Sequence, residues 1–137
     1  MSRVFLDTNI LAYTFDSASP SKQAAARAAL ASHRDFTVST QVMLELFVVL
    51  TRKLRPVWPP EEAGRVVRRV ADLGVVPADR ALVERAVVTA RRHQLSVWDA
   101  MVLEAAVESG CGELWTEDLA HGSVLRGVRT VNPLLAA

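Results

Sequence analysis

Cysteine is all but missing from this chain: Cys111 is the only one in 137 residues. A single thiol excludes an intrachain disulfide, and with no cysteine cluster there is no thiolate zinc site. Histidine is sparse too, and His33, His93 and His121 lack the spacing of metal ligands, so they read as surface or capping residues. No uncharged apolar run reaches the ~18 residues that a membrane span needs. The first residues pass straight into a short apolar segment, without the basic stretch and long apolar run of a secretion signal. These absences lead to the expectation of a soluble, cytoplasmic chain with no membrane contact. Net charge is only +1, so composition alone does not announce a nucleic-acid partner.

Half of the residues are hydrophobic and 23% are charged, the balance of a globular protein. The length fits one domain, expected to span residues 1–137. Basic charge is carried almost wholly by arginine, Lys22 and Lys53 being the only lysines. It clusters at Arg52-Lys53-Leu54-Arg55, at Arg65 with Arg68-Arg69, and at Arg91-Arg92-His93. Arginine forks suit phosphate oxygens; the plain alternative is a set of solvated helix faces.

Along the chain, Arg3 to Asp7 reads as a buried strand ending in an acid, followed by a short helix capped at Thr8-Asn9. Ser21 opens an alanine-rich helix to about His33, and Phe36 to Ser39 is a second short strand. Ser39 or Thr40 caps a strongly apolar helix reaching Leu54. Pro60 suits the first turn of a helix to about Leu73, and Val75-Val76 is a brief strand. Asp79 and Ser96 cap two more helices, to about Gln94 and Ser109, the latter stopped by Gly110. Glu113 to Thr116 and Val128 to Val131 read as strands separated by a glycine-containing turn region. Short strands alternating with helices imply an α/β fold, with ligands beyond the carboxyl ends of the strands.

The anomaly is the placing of four acids. Asp7 follows Val4-Phe5-Leu6, Glu45 lies within Val42 to Leu50, Asp99 lies within Val97 to Leu103, and Asp118 follows Leu114-Trp115-Thr116-Glu117. The helix around Glu45 is apolar on every side and is expected to be buried on most faces. A buried carboxylate must be paired, protonated or bound to a metal. Neither Glu45 nor Asp99 has a basic residue one helical turn away. Oxygen-only ligands select Mg²⁺ or Mn²⁺. Each acid also has a structural alternative: Asp7 as a helix cap, Glu45 paired to a distant arginine, Asp99 as a first-turn acid, Asp118 as a loop cap. Glu117 competes with Asp118 and is read as the exposed one of the two.

Taken together, Asp7-Thr8-Asn9-Ile10-Leu11, Glu45 after Ser39-Thr40-Gln41, Ser96-Val97-Trp98-Asp99-Ala100, and Trp115-Thr116-Glu117-Asp118-Leu119 with Gly122 resemble the PIN-domain family. The resemblance is strongest to the VapC-like toxins of bacterial and archaeal toxin–antitoxin pairs, and it extends to the tail Val131-Asn132-Pro133. Leu134 departs from it, since phenylalanine is frequent there. The resemblance covers nearly the whole chain. It implies a single-domain α/β/α sandwich with a central parallel sheet, and metal-dependent endonucleolytic cleavage of RNA. Asp7, Glu45, Asp99 and Asp118 would then form the catalytic, Mg²⁺- or Mn²⁺-binding pocket, with Asn9 and Thr116 as supporting polar residues. A homodimer and a cognate antitoxin are implied as well.

On that reading water attacks a phosphodiester in line, and Arg52, Lys53, Arg55, Arg91 and Arg92 are candidates to guide RNA inward. A phosphatase of the haloacid dehalogenase type needs a second aspartate two residues after Asp7, where this chain has Asn9. A receiver-like domain needs a late lysine, which is absent. A nuclease of RNA maturation without an antitoxin, and a catalytically inactive RNA- or protein-binding module, remain the alternatives.

Overall fold

The computed structural model describes residues 2–135. At its centre is β1 (Val4–Leu6), buried at every position. A strand covered on both faces needs helices on both sides, which parallel neighbours supply through their crossovers. Accordingly β1 pairs in parallel with β2 (Phe36–Ser39) on one side and with β4 (Glu113–Trp115) on the other. Beyond β2 lies β3 (Val75–Val76), and beyond β4 lies β6 (Val128–Val131), both parallel. The edge strand β5 (Val124–Leu125) runs antiparallel to β6, giving the order β3-β2-β1-β4-β6-β5.

Helices α1 (Thr8–Tyr13) and α2 (Pro20–Ala31) join β1 to β2. Helices α3 (Thr40–Val48) and α4 (Pro60–Val70) lead on to β3, and α5 (Arg80–His93) and α6 (Val97–Glu108) travel back to β4. Right-handed crossovers running in opposite directions fall on opposite faces of the sheet. The result is the expected α/β/α sandwich, with a six-stranded, mostly parallel sheet and six α-helices among the described residues. Phe5, Leu6, Val38, Leu46, Leu103 and Leu114 form its fully buried centre.

Three of the expected caps are in place, whereas α1 is capped by Asp7 and takes up Thr8 and Asn9, the expected caps, as its first residues. Ser39 Oγ accepts from the Val42 amide at 3.2 Å, Asp79 from Leu82 at 2.9 Å, and Ser96 Oγ from Asp99 at 3.1 Å. Each such cap is worth about 1 kcal/mol.

Three expectations need correction. The helix expected to reach Leu54 winds regularly only to Val48; a wider turn, Val49–Lys53, follows, and the Leu54 amide reaches the Val49 carbonyl at 3.0 Å. That helix is not buried on most faces. Val42, Leu46 and Leu50 point inward, while Glu45, Phe47 and Val48 are exposed and Leu44 is 71% exposed. That inward side is packed by α1, α4 and β2, and among the described residues nothing covers the side that bears Leu44, Phe47 and Val48. Finally, the turn region before β6 contains β5. Its two-residue hairpin loop, Arg126–Gly127, has φ of 53° and 78°. Glycine is usual at the second position, but arginine at the first is not. The Arg126 guanidinium explains the choice, because it donates to the fully buried Glu104 at 2.9 and 3.1 Å.

Candidate metal centre

The sheet order reverses direction at β1, between β2 and β4, which makes the β1/β4 boundary the topological switch point. Both strands end there in acids. Asp7 leaves β1, and its amide still bonds to the Trp115 carbonyl at 3.0 Å. Asp118 leaves β4 two residues after Thr116. The first turn of α6 brings Asp99 to the same place. One carboxylate oxygen from each of Asp7, Asp99 and Asp118 lies within 4.8 Å of the other two.

Asp7 is buried, Asp99 half-buried and Asp118 exposed. Burial, with the charges of Asp118 and Glu45, pushes the Asp7 carboxyl up to about 6, against the lowering hydrogen bonds from Thr116 and Thr8. Asp118 is also raised, first by desolvation and then by the charges of Asp99 and Glu117. Among the described residues no ion pair relieves Asp7, Glu45, Asp99 or Asp118. Carboxylates crowded together without a counter-ion disfavour one another's charge, and a cation removes that repulsion. The donor set is oxygen alone, which fits Mg²⁺ or Mn²⁺.

Neutral donors fix the acids in place. Asp7 caps α1, its Oδ1 accepting from the Thr8 amide at 2.7 Å. Its Oδ2 accepts from the Thr116 hydroxyl at 2.8 Å. The Thr116 oxygen in turn accepts from the Asp118 amide at 3.1 Å, and Asn9 Nδ2 donates to Asp118 Oδ2 at 3.0 Å. Asn9 and Thr116 thus each touch an acid of the centre.

Glu45 stands apart from the group of three. It lines the same cleft, of about 520 Å³, together with Asp7, Asp118, Tyr13 and Lys53. Its Oε1 accepts from Gln41 Nε2 at 2.9 Å and more weakly from the Thr8 hydroxyl at 3.4 Å. The sequence placed Thr8 in a helix cap and Gln41 in the run before Glu45 without giving either a part in the site, and it did not single out Tyr13. Only Gln41 carried a signal, one helical turn before Glu45.

Of the candidate RNA contacts, Lys53 lines the cleft. Arg55 directs its guanidinium at the Arg52 and Leu54 carbonyls, at 3.1 and 2.9 Å. Arg52 is exposed beside it, and Arg91 and Arg92 border a separate pocket with Val88 on α5. Glu117, expected to be the exposed acid, is half-buried. The most deeply buried acid in the described chain is one the sequence reading passed over. Glu104, on α6, takes hydrogen bonds from Arg126 and from Thr89, the latter at 2.8 Å. Burial opposes its ionisation, but those bonds and the Arg126 and Arg85 charges outweigh it and hold the carboxyl low.

These features define a doubly wound α/β domain with an oxygen-only acidic centre at its switch point. The PIN domain profile matches residues 4–124, and the chain belongs to the PIN domain family. No curated protein matches the sequence. Among solved structures, a toxin–antitoxin complex from Klebsiella pneumoniae superposes with a TM-score of 0.70 at 22% identity, over 96% of this chain and 98% of that one. The sarcin–ricin loop cleaving toxin VapC20 of Mycobacterium tuberculosis gives 0.68 at 20% identity, over 84% and 89%. FitAcB from Neisseria gonorrhoeae gives 0.66 at 18%, over 96% and 99%. At such identities these likenesses establish the shared fold.

Proposed function

We propose that this chain is a Mg²⁺- or Mn²⁺-dependent endoribonuclease, the toxin of a toxin–antitoxin pair, with residues 1–137 forming the nuclease domain. The observation that carries the reading is the convergence of Asp7, Asp99 and Asp118, one oxygen each within 4.8 Å, with no ion-pair partner among the described residues. Family membership supports a nuclease. The toxin reading draws on neighbours described as toxin–antitoxin complexes and, for VapC20, as a toxin that cleaves the sarcin–ricin loop.

Asp7, Asp99 and Asp118 would hold the ion. When bound, it neutralises charge on a phosphodiester and acidifies a water. The remaining work falls to the chain. Thr116 and Asn9 keep the carboxylates turned inward. Glu45, with Oε1 already engaged by Gln41 and Thr8, offers Oε2 to the attacking water as proton acceptor. Water adds to phosphorus in line, the opposite P–O bond breaks, and the departing oxygen leaves with a proton from solvent. Lys53, in the cleft, is the basic residue best placed to meet the phosphate backbone, with Arg52 beside it. Arg55, Arg91 and Arg92 would contribute only at longer range.

The open apolar side of α3, Leu44, Phe47 and Val48, supports a protein partner: the antitoxin, or a second copy in a homodimer. A cytoplasmic location accords with an RNA substrate, and no helix among the described residues is long and apolar enough to cross a membrane.

The test is cleavage of RNA by purified protein with Mg²⁺, with Mn²⁺ and with chelator, beside an Asp7→Asn/Asp99→Asn double variant. Metal-dependent cleavage that the variant loses supports the reading. Equal activity in both points to a contaminating ribonuclease. No cleavage in either, together with no uptake of divalent ions, favours the binding-module alternative.

A further inference from the structure

Two acids stand side by side on the loop that leaves β4, and only one of them joins the centre. Asp118 contributes an oxygen to the group of three, whereas Glu117 does not. The two are consecutive in the chain, and each carboxylate is held by partners of its own. Something must sort them, and the sorting groups lie on α1 and α2.

Asn9 and Tyr13 are one turn apart on α1 and share a face. Asn9 Nδ2 donates to Asp118 Oδ2 at 3.0 Å, while Asn9 Oδ1 accepts from the Glu117 amide at 3.4 Å. Tyr13 donates its hydroxyl to Glu117 Oε1 at 2.8 Å. Lys22, from α2, lies 3.5 Å from Glu117 Oε2 and donates to the Tyr13 hydroxyl at 3.1 Å. Its ammonium also sits 4.9 Å from the centroid of the Tyr13 ring. Both oxygens of Glu117 are thereby occupied by donors that the proposed chemistry does not use. Half-exposed as it is, the Lys22–Glu117 pair alone contributes little. A phenol donating to a carboxylate is a stronger bond, and the three groups close a triangle.

We propose that Tyr13 and Lys22 are positioning residues that capture Glu117 and thereby determine that Asp118, and not Glu117, serves the ion site. The inference rests on the metal-centre reading above. It makes Glu117 a reserve ligand, silent only while the capture holds.

Mn²⁺ binding to the full-length protein, followed by the EPR signal of the free ion, tests it. Asp118→Asn removes a carboxylate of the group of three and should weaken Mn²⁺ binding by roughly a hundredfold, the upper end of what loss of a supporting group costs a metal site. Adding Tyr13→Phe and Lys22→Met to Asp118→Asn should recover most of that loss, because Glu117 is released. Adding Glu117→Gln to that triple variant should abolish the recovery. A general weakening of the fold moves every variant in one direction and cannot give this reversal. Should the triple variant fail to fold, Tyr13→Phe with Asp118→Asn removes the stronger bond to Glu117 alone, and a smaller recovery in the same direction is expected. A folded triple variant that binds no better than Asp118→Asn overturns the capture and leaves the metal centre standing. A wild type that takes up no Mn²⁺ overturns the metal centre, and the capture with it.

Discussion

Thr116 donates its hydroxyl to Asp7 across 2.8 Å, joining the ends of β4 and β1 from positions 109 residues apart. The same oxygen accepts from the Asp118 amide, so one side chain fixes two acids of the centre. Thr116→Val keeps the shape and removes both bonds. The carboxyl of Asp7, already raised to about 6, loses a group that lowers it and rises further. Expected are a loss of stability of about 1–3 kcal/mol, as for any buried polar group left unpaired, and weaker Mn²⁺ binding at pH 7. Urea unfolding and a Mn²⁺ titration measure the two; wild-type values in both would remove Thr116 from its supporting role.

Asp7 gives a pH-dependent stability whose sign follows from its raised carboxyl. The ordinary value is 3.8 and the folded value about 6. Below pH ~4 the group is protonated in both states and folding carries no penalty. Between pH ~4 and ~6 it ionises in the unfolded chain first, so the metal-free protein loses stability as pH rises. Holding the carboxyl that far above its ordinary value costs about 3 kcal/mol, present in full above pH ~6. Asp7→Asn should therefore melt higher than wild type in chelator at pH 7.5, with the gap closing at pH 4. Calorimetry at the two pH values decides, and a variant less stable at pH 7.5 contradicts the prediction.

On the proposed reading, divalent ions should reverse that ranking. Binding only to the folded state stabilises by RT ln(1 + [L]/Kd), about 3 kcal/mol at a hundredfold excess over Kd. Added Mn²⁺ should raise the melting temperature of wild type and leave Asp7→Asn almost unmoved. A similar rise in both would place the ion elsewhere.

Glu45 and Asp99 should separate in their effects. Asp99 belongs to the group of three and Glu45 does not. Asp99→Asn is expected to lower both Mn²⁺ affinity and cleavage by roughly a hundredfold or more, beyond the loss typical of a supporting group. Glu45→Gln should abolish cleavage to a similar degree with Mn²⁺ affinity nearly intact. Isothermal titration beside single-turnover cleavage tells them apart, and equal loss of affinity would make Glu45 a direct ligand.

Away from the site, Arg126→Ala leaves the fully buried Glu104 with only Thr89 and a more distant Arg85 at 3.9 Å. Removing one partner of a buried pair costs about 3–5 kcal/mol; Arg126 is 42% exposed, so about 2 kcal/mol is the lower bound expected here. Glu104→Gln in the same chain should recover part of the loss. Stability unchanged in the single variant would mean that water replaces the guanidinium freely.

Much of this was legible in the chain itself. The short strands show as apolar runs because a parallel strand is buried on both faces, so its hydrophobicity is continuous. Ser39, Asp79 and Ser96 announce their helices because capping is a local bond between a side chain and an amide three residues on. Even the acids at the ends of β1 and β4 were readable, since a carboxylate closing an apolar run has few structural reasons to be there.

Burial could not be read the same way. An acid within an apolar helix marked Glu45 as buried and passed over Glu104, and the structure reverses the two. Both helices are apolar on several sides, but α6 is sealed by α5 and the sheet, whereas α3, packed by α1, α4 and β2, keeps one side open at Leu44, Phe47 and Val48. Which side of a helix is covered depends on what packs against it from distant sequence. The same holds for the hairpin at Arg126–Gly127, selected by a bond to α6, and for Tyr13 and Lys22, whose meeting with Glu117 no local spacing foretells. Sequence by itself determined the elements, their caps and the acids that end the strands, because those depend on neighbours along the chain. Only the tertiary structure decided which three acids meet, which one stands apart and which is turned away, because those are contacts between residues distant in sequence, as Thr116 and Asp7 are at 109 positions apart.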